Sequence, residues 1–582
     1  MTQEQVVERR VAALEELLGD PEASGNPFGH RALRAADEQG APDPRAAREL
    51  LRFGFATELV PEELGGRLTR WDGLVRMARV LFRRDTPLGT AHAAASLPGA
   101  VTVWAAGAPG QRRRAAELLL RGGTLAAAHQ ELPYGGELLR GEYDAVPYGG
   151  GFLLDGVKPA VAHAAQADAL VVFGRTSPDQ GGHSHSALLV DLAGADADRV
   201  RLMPRDPGAV GDGHRRGLEF HDLPVPGDAL LGGAGDGTPL ALRCLQVTRS
   251  LVPGMVLGGA DTALRTAVEC GLQHPSYGGA PLEHPHHRAA VARAFVTLLV
   301  CDCLALVAAR ALHLLPEHSS LPTAVTEYLV PGLLQETVQN LAPVLGARFH
   351  ADEGGYGVLR RYLRDLPRAG LGRAGAAAGL AAMLPQFPRL AGDAWLRGPG
   401  APAALFTDGP LPPADLGRLA LTAGADPLAG TLCEAVRACG SWQGPPGVGP
   451  AALEPLRELA QGLQDELRGL REDCRALPPG EPAALATPPM YALADRYALV
   501  TAGAACLGVW QAHSGDPDSF LAQPAWVTEA LMGLTQRLGR PLPARRTPTT
   551  EGVLREVLDR YHSGRTYDLY ASGMATGEGV GT

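Results

Sequence analysis

The chain has 582 residues, 45% of them hydrophobic, and its 53 basic and 63 acidic residues give a net charge of −10. This length exceeds a single hydrophobic core, so we expect two to four domains, and the composition excludes a disordered protein. The mild negative charge argues against nucleic acid as the main partner. None of the eight cysteines forms a Cys-x-x-Cys pair, and residues 1–10 are polar and charged. We therefore expect a reduced, cytoplasmic protein without a signal peptide.

Residues 1–125 are predicted to form an N-terminal helical domain, because apolar residues recur at helical spacing over 75–81 and 114–120. Over residues 126–235 the pattern changes to short β-prone runs, separated by glycine, proline and aspartate, which predict a middle β domain. The runs cover residues 151–154, 169–173, 186–191, 200–203 and 217–220.

Residues 236–395 return to long helical patterns and are predicted to form a helical bundle. The most apolar stretch, 289–315, is interrupted by Arg293, Asp302 and Arg310. These charges indicate a buried helix and not a membrane span.

Residues 396–582 are predicted to form a C-terminal helical domain. Proline and glycine are frequent over 398–413, which predicts a linker in front of this domain. The tail from Ser572 onward is predicted to be disordered. Helical patterns between the linker and the tail cover residues 453–475, 491–513 and 526–538.

Histidines are the most conspicuous candidates for a metal site. A proline interrupts the spacing of His284, His286 and His287, so no metal site is predicted. His183 and His185 lie in a stretch rich in glycine and serine, and we expect both to be exposed to solvent.

Several short motifs follow one another along residues 45–385. They are VPEELGG (60–66), AGAPGQ (106–111), Glu131 with GGE (135–137), GVK (156–158), GLEFHDLPVP (217–226), TR (248–249), YG (277–278), GGYG (354–357) and RD (364–365). In order and spacing these motifs resemble those of the acyl-CoA dehydrogenase and acyl-CoA oxidase superfamily.

The resemblance implies a mostly α fold with a central small β domain. Its parts would be an α-helical N-terminal domain, a β-barrel middle domain and a four-helix-bundle domain, followed here by an extra C-terminal helical domain. It also implies FAD as cofactor, an acyl thioester on CoA or a carrier protein as substrate, and a homo- or hetero-oligomer. Lys158, the only lysine of the chain, falls on the Gly-x-Lys motif and is interpreted as a structural anchor of the β domain.

Cofactor contacts are carried over from the same motifs. Where the family places an aromatic residue and a hydroxyl behind the flavin, this chain has Ala160 and Ala162, and His274 replaces the arginine that binds the pyrophosphate. Histidine lacks the bidentate fork of arginine. The complete set of predicted cofactor-binding positions is Gln130, Glu131, Gly136, Ala160, Ala162, His274, Gly354 and Gly355.

The glutamate that serves the family as catalytic base is absent from both of its known positions. Arg373 occupies one of them and Thr248 occupies the other. Arginine keeps its proton in proteins and cannot act as a base. Arg249 is predicted to bind the substrate, and the nearest carboxylates in sequence, Asp352 and Glu353, are expected to be solvated loop charges.

Three hypotheses for the function follow from these departures. The first is a divergent FAD-dependent oxidoreductase that acts on an acyl thioester. The second is a catalytically degenerate subunit that pairs with an active homologue. The third is a flavin-dependent oxygenase on the same fold, since fold alone does not decide the reaction.

Overall fold

The computed structural model describes the chain except for short gaps. The described residues are 2–39, 43–128, 143–178, 181–192, 194–196, 198–204, 215–273, 280–352, 354–369, 373–476, 487–544 and 549–575, without the side chains of 159, 160, 215, 368, 369 and 373–375.

The N-terminal part is helical, as predicted. The first helix begins with a capping box, in which the side chain of Thr2 accepts from the backbone of Gln5 and the side chain of Gln5 accepts from the backbone of Thr2. The helices are α1 (Gln3–Leu18), α2 (His30–Gln39), α3 (Pro44–Phe53), α4 (Trp71–Arg84), α5 (Thr86–Gly89), α6 (Leu97–Ala106) and α7 (Pro109–Leu120).

The middle of the chain forms one mixed β-sheet. Within the described residues the strand order is β6-β7-β3-β2-β4-β5-β8, and β1 pairs in parallel with β4. The strands are β1 (Leu125–Ala128), β2 (Tyr143–Tyr148), β3 (Gly151–Ala162), β4 (Ala169–Arg175), β5 (His185–Asp191), β6 (Val200–Leu202), β7 (Arg215–Val225) and β8 (Leu230–Leu231).

The two faces of the sheet enter different cores. Along β4, Val171 and Phe173 belong to the large core that the helices share, whereas Leu170 and Val172 belong to a small core within the β domain. Side chains alternate along a strand. One face of the sheet therefore packs against the helical parts of the protein.

The bundle that follows packs against the N-terminal helices. Its first helix crosses α4 closely at Gly258, where an added Cβ would overlap the backbone oxygen of Arg79 and lie 2.8 Å from the backbone nitrogen of Arg83. Only a residue without a side chain permits this approach. The helices are α8 (Gly237–Gln273), α9 (Pro285–Leu314), α10 (Ser320–Asn340), α11 (Ala342–Leu345), α12 (Gly354–Asp365), α13 (Arg373–Met383) and α14 (Phe387–Asp393).

The C-terminal helices join the same large core. Buried residues from Val7 to Tyr567 form one continuous cluster. Phe295 of α9, for example, lies 5.7 Å from Phe520 between ring centroids. The helices are α15 (Pro427–Ala438), α16 (Glu454–Arg475), α17 (Pro488–His513), α18 (Pro524–Arg537) and α19 (Thr550–His562).

Residues 398–413, predicted as a linker, are held against the bundle by buried side chains. Arg310 donates to the carbonyl oxygens of Ala404 at 2.7 Å and Gly409 at 2.8 Å. His313 Nδ1 lies 2.8 Å from the carbonyl oxygen of Pro412. The proline- and glycine-rich composition therefore gives an extended segment that is fixed in place.

The tail predicted to be disordered from Ser572 begins inside the folded protein. Ser572 is buried, and its hydroxyl donates to Glu8 at 3.2 Å. Residues 576–582 lie outside the described part of the chain. The prediction fails for Ser572 because its partner lies at the opposite end of the sequence.

Three helices, α8, α9 and α17, are long and apolar enough to cross a membrane by length and composition alone. Within α9, 83% of the most apolar window is buried inside the protein. Asp302 and Arg310, which interrupt this helix, are both buried. Packing against other helices accounts for the apolar character of α9.

Candidate functional site

Several predicted site residues lie outside the described residues. They are Gln130, Glu131, Gly136, His274 and Glu353. For Ala160 and Arg373 the backbone is described and the side chain is not; Ala160 lies in β3, and Arg373 begins α13.

The end of β3 is the described part of the predicted flavin-binding wall. Val161 is buried in the core of the β domain, and Ala162 exposes only a methyl group. His163, the next residue, is buried and has a left-handed backbone with φ of 57°. This conformation is uncommon for a residue with a side chain and marks the end of the strand.

Lys158 anchors the β domain, in agreement with its predicted structural role. Its buried Nζ donates to the carbonyl oxygen of Ala128 at 2.7 Å and lies 5.3 Å from the centroid of the Tyr143 ring. The ammonium group thus ties β3 to the end of β1, where the predicted cofactor segment begins.

Arg249, the predicted substrate-binding residue, is held by a carboxylate within the bundle. Its Nε lies 3.0 Å from Glu327 Oε1, and the Glu327 side chain is only 4% exposed. The neighbouring Thr248 turns its hydroxyl to the carbonyl oxygen of Leu245 at 3.0 Å. Thr248 therefore offers neither a free hydroxyl nor a carboxylate to a substrate.

Glu327 was missed by the sequence reasoning. It lies on α10, and α13 packs onto the same helix where Gly379 meets Ala324 and Tyr328. Arg249, Glu327 and the helix that begins at Arg373 thus share one region of the bundle. The sequence did contain an indication of its role. Glu327 is a single charged residue in an otherwise apolar helical stretch, and a buried charge requires a partner.

Gly354 and Gly355 pack against the chain's own side chains. A Cβ at Gly354 would lie 3.3 Å from Glu22 Oε1, and a Cβ at Gly355 would lie 2.7 Å from Thr266 Oγ1. Gly354 also has a positive φ of 51°. Asp352, expected to be a solvated loop charge, pairs with Arg360 at 2.6 Å and is 64% exposed.

These described residues supply few groups for a flavin nucleotide. Ala162 has no hydroxyl, and Gly354 and Gly355 offer no side chain. The predicted contacts at Gln130, Glu131, Gly136 and His274 lie outside the described residues. The described residues therefore make up only part of the set of flavin contacts that the resemblance implies.

His185 is buried, contrary to the expectation of a solvent-exposed loop histidine. It begins β5, is 2% exposed and pairs across the sheet with Arg175. Ala187, two residues further along the strand, belongs to the core shared with the helices. By the alternation of the strand, the His185 side chain faces the helices as well. The strand predicted over residues 186–191 begins one residue earlier, at His185, so this histidine is part of the sheet.

The hydrogen bonds of His185 fix its tautomer. The Ser184 hydroxyl donates to the carbonyl oxygen of Gly181 at 2.8 Å, so the hydroxyl oxygen accepts from His185 Nδ1, also at 2.8 Å. Burial, followed by the positive charges of Arg175 and Lys158, lowers the pKa of His185 below 6.5. The imidazole is therefore neutral near neutral pH, and Nε2 carries a lone pair.

His185 Nε2 and Thr238 Oγ1 are buried polar atoms without a hydrogen-bond partner among the described residues. The two residues lie on elements that are in contact: at Gly237, which precedes Thr238 at the start of α8, an added Cβ would lie 2.7 Å from the carbonyl oxygen of His185. Most buried polar atoms in proteins have a partner. This junction between β5 and α8 is therefore a second candidate site, which we call the β5–α8 junction.

Comparison with known proteins identifies the family. The model of the acyl-CoA dehydrogenase C-terminal domain matches residues 235–373. That range includes Arg249, Glu327 and the start of α13. Residues 235–373 thus resemble the C-terminal domain of acyl-CoA dehydrogenases. The predicted family and the predicted fold class, mostly helical with a central β domain, are both confirmed.

Individual relatives match parts of the chain. It is 34% identical over 134 residues to an acyl-CoA dehydrogenase of Bacillus subtilis, covering 23% of this chain and 35% of that protein. It is 26% identical over 249 residues to a short-chain specific acyl-CoA dehydrogenase of Megasphaera elsdenii, covering 42% of this chain and 64% of that protein. The chain thus spans between one third and two thirds of these relatives.

A solved structure matches almost the whole chain. An acyl-CoA dehydrogenase of Bacillus anthracis, complexed with FAD, superimposes with a TM-score of 0.71, 17% identity and 97% coverage of both chains. At this identity the likeness establishes the fold. The matching region includes the C-terminal helices, which were predicted from the length of the chain and its helical patterns.

Proposed function

We propose that the protein is a divergent FAD-dependent oxidoreductase that acts on an acyl thioester carried by CoA or a carrier protein. The observation that supports this most directly is the match of the acyl-CoA dehydrogenase C-terminal domain to residues 235–373, a range that contains Arg249 and Arg373. FAD supplies the redox chemistry in this proposal, and the protein supplies binding and orientation.

The chain's own residues favour a positioning role for Arg249. Glu327 Oε1 lies 3.0 Å from Nε of the guanidinium, and the Arg249 side chain remains 20% exposed. A guanidinium held in this way keeps further N–H groups for a carbonyl oxygen. Glu327 therefore fixes the position of the arginine.

Flavin uptake is the first test of the proposed function. The full-length protein is titrated with FAD and followed by visible absorbance, then mixed anaerobically with a series of acyl-CoA thioesters. Tight FAD binding and bleaching by at least one thioester are expected. A protein that does not take up FAD contradicts the proposal. Oxygen uptake that depends on the thioester in air, without anaerobic bleaching, would favour the oxygenase.

The vacant position of the catalytic base offers a second test. Arg373→Glu places a carboxylate at the start of α13, and Arg373→Gln is the matched control that removes the cation without adding a base. If the chain keeps the family's arrangement, acyl-CoA should bleach the glutamate variant faster than it bleaches the wild type or the glutamine variant. Equal behaviour of the two variants would mean that the active site has been rebuilt around other residues.

A degenerate, flavin-poor subunit is the second candidate. Ala162 favours it, because a methyl group offers no hydrogen bond to a flavin. In that case the protein would pair with an active, flavin-containing homologue. Stable co-purification with such a homologue, combined with absent FAD uptake, distinguishes this candidate from the first.

A further inference from the structure

The C-terminal strap, residues 565–575, is a loop whose two ends meet. Arg565 and Gly573 pair as an isolated β-bridge, and the backbone of Thr566 donates to the carbonyl oxygen of Ser572 at 2.9 Å. A surface loop that is closed in this way and held by its own groups forms a compact unit.

Asp568, the only acidic residue of the strap, is bound within the strap. Its Oδ1 accepts from the hydroxyl of Thr566 at 2.7 Å and from the backbone nitrogens of Tyr570 and Ala571, each at 3.0 Å. The strap therefore supplies its own partners to its carboxylate.

The backbone of the strap contacts the bundle. Tyr567 donates to Asp261 of α8 at 3.0 Å, and Leu569 donates to Asp302 of α9 at 2.9 Å. Both donors are backbone nitrogens, and both acceptors are buried carboxylates. These two bonds fix the strap between α8 and α9.

Side chains of the strap contact the N-terminal helices. The hydroxyl of Ser572 donates to Glu8 of α1 at 3.2 Å, and the guanidinium carbon of Arg76 in α4 lies 3.9 Å from the centroid of the Tyr570 ring. The strap thus occupies a groove between the N-terminal helices and the bundle.

The arginines of this groove have carboxylate partners outside the strap. Asp568 Oδ2 lies 3.6 Å from Arg79 and 3.8 Å from Arg83, beyond hydrogen-bond distance. A buried charge is strongly destabilising when it loses its partner. Undocking of the strap leaves the arginines paired, as Arg76 with Glu4 and Glu8, Arg79 with Asp302, and Arg83 with Glu15.

The packing between the strap and α8 is incomplete. The walls of a small cavity there include Leu257 and Asp261 of α8 and Tyr567 and Asp568 of the strap. Asp261 Oδ1 has no hydrogen-bond partner in the part of the chain that the structure describes. Voids and unpaired polar atoms reduce the free energy that docking contributes.

We propose that the C-terminal strap is a latch, which undocks from its groove as one unit while the rest of the protein stays folded. The docked strap joins Glu8 of α1 to Asp261 of α8 and Asp302 of α9. Undocking therefore loosens the hold of the N-terminal helices on the bundle. The latch does not depend on which reaction the protein catalyses.

Amide hydrogen exchange in the full-length protein tests the latch. Mass spectrometry compares peptides from the strap with peptides from α9. Because a local opening needs less free energy than global unfolding, strap amides should exchange at least about 10-fold faster than α9 amides. Tyr570→Ala removes the ring beside Arg76 and should speed exchange in the strap by a further factor of about 3 to 10. Tyr570→Phe keeps the ring and is the matched control.

Leu463→Ala distinguishes local opening from global unfolding. Leu463 is a fully buried residue of α16, so its loss destabilises the core of the protein. If the strap opens by itself, this variant leaves the exchange rate of the strap unchanged. Equal rates for the strap and α9 in the wild type, or a strap that Leu463→Ala accelerates as much as it accelerates α9, would show that the strap opens only on global unfolding. Either result overturns the latch.

Discussion

Two regions of the protein differ in how their buried polar groups are paired. One is the helical junction, where α4 packs against other helices; the other is the β5–α8 junction. In the helical junction, three buried arginines, two within α4 and one at its N-cap, each face a buried carboxylate: Arg70 with Asp72, Arg79 with Asp302, and Arg83 with Glu15. At the β5–α8 junction, polar atoms of His185 and Thr238 have no partner among the described residues. Paired groups stabilise a fold, whereas unpaired groups indicate a site for a ligand.

The C-terminal strap, residues 565–575, supplies further partners to buried groups of the helical junction. The backbone of Leu569 donates to Asp302 at 2.9 Å, and the backbone of Tyr567 donates to Asp261 at 3.0 Å. The ring of Tyr570 lies 3.9 Å from the guanidinium carbon of Arg76. The end of the chain therefore supplies partners to helices of the other parts.

Removing a buried partner should have the largest effect on stability. Asp302→Ala leaves Arg79 without its buried carboxylate and the backbone of Leu569 without an acceptor, so we expect a loss of about 3–5 kcal/mol in the free energy of unfolding. Chemical denaturation measures it. The control is Glu317→Ala, which removes a 57% exposed partner of Arg418 and should cost less than about 1 kcal/mol. Equal losses would contradict the contrast between the two regions.

Removing the hydrogen bonds that hold residues 398–413 should cause the next largest loss in the free energy of unfolding. Arg310→Met removes donors to two carbonyl oxygens, and hydrogen bonds to a charged group contribute about 1.5–3 kcal/mol each. Faster proteolysis within this segment should accompany the loss. Unchanged proteolysis in a destabilised variant would show that other contacts fix the segment.

The close crossing of α4 and α8 predicts a smaller effect. Gly258→Ala introduces a methyl group against the backbone of α4, and overpacking of this kind costs about 1–3 kcal/mol. Gly332→Ala is the matched control in α10, where no atom lies within 4 Å of the added Cβ. Because alanine favours a helix, the control should gain about 0.5–1 kcal/mol. Denaturation midpoints of the two variants should move in opposite directions.

Acid should destabilise the helical junction through His313. Burial lowers the pKa of this imidazole, whose Nε2 accepts from the backbone of Trp71 at 3.0 Å. A lowered pKa means that the unfolded chain takes up the proton first, so stability is present above 6.5, the usual pKa of histidine, and is lost as pH falls below it. The wild type should lose more stability than His313→Gln between about pH 7.5 and pH 5.5. Parallel pH profiles would contradict this assignment.

The smallest expected effect lies at the β5–α8 junction. Thr238→Val removes a buried hydroxyl that has no partner, so the free energy of unfolding should stay within about 1 kcal/mol of the wild type or rise. Denaturation of the ligand-free protein measures it. A clear loss of stability would show that the hydroxyl already serves the fold.

Local patterns in the sequence determined the family and the element types. Helical and alternating periodicity depend on neighbouring residues, so α4, α9, α16 and the main strands could be predicted from short windows. Motifs with a fixed order similarly indicated the superfamily. Among the predicted site residues, the absence of a carboxylate at Thr248 and Arg373 is also a property of the sequence alone.

Tertiary structure alone decided which charges meet. Arg249 pairs with Glu327 and Asp302 binds the strap across separations of many residues, and no local pattern encodes such contacts. The burial of His185 likewise depends on where α8 packs. Sequence signalled only that Asp302 and Glu327 interrupt apolar helices. Since a buried charge needs a partner, each of these residues must pair with another group. The packing of distant helices determines which residues are the partners.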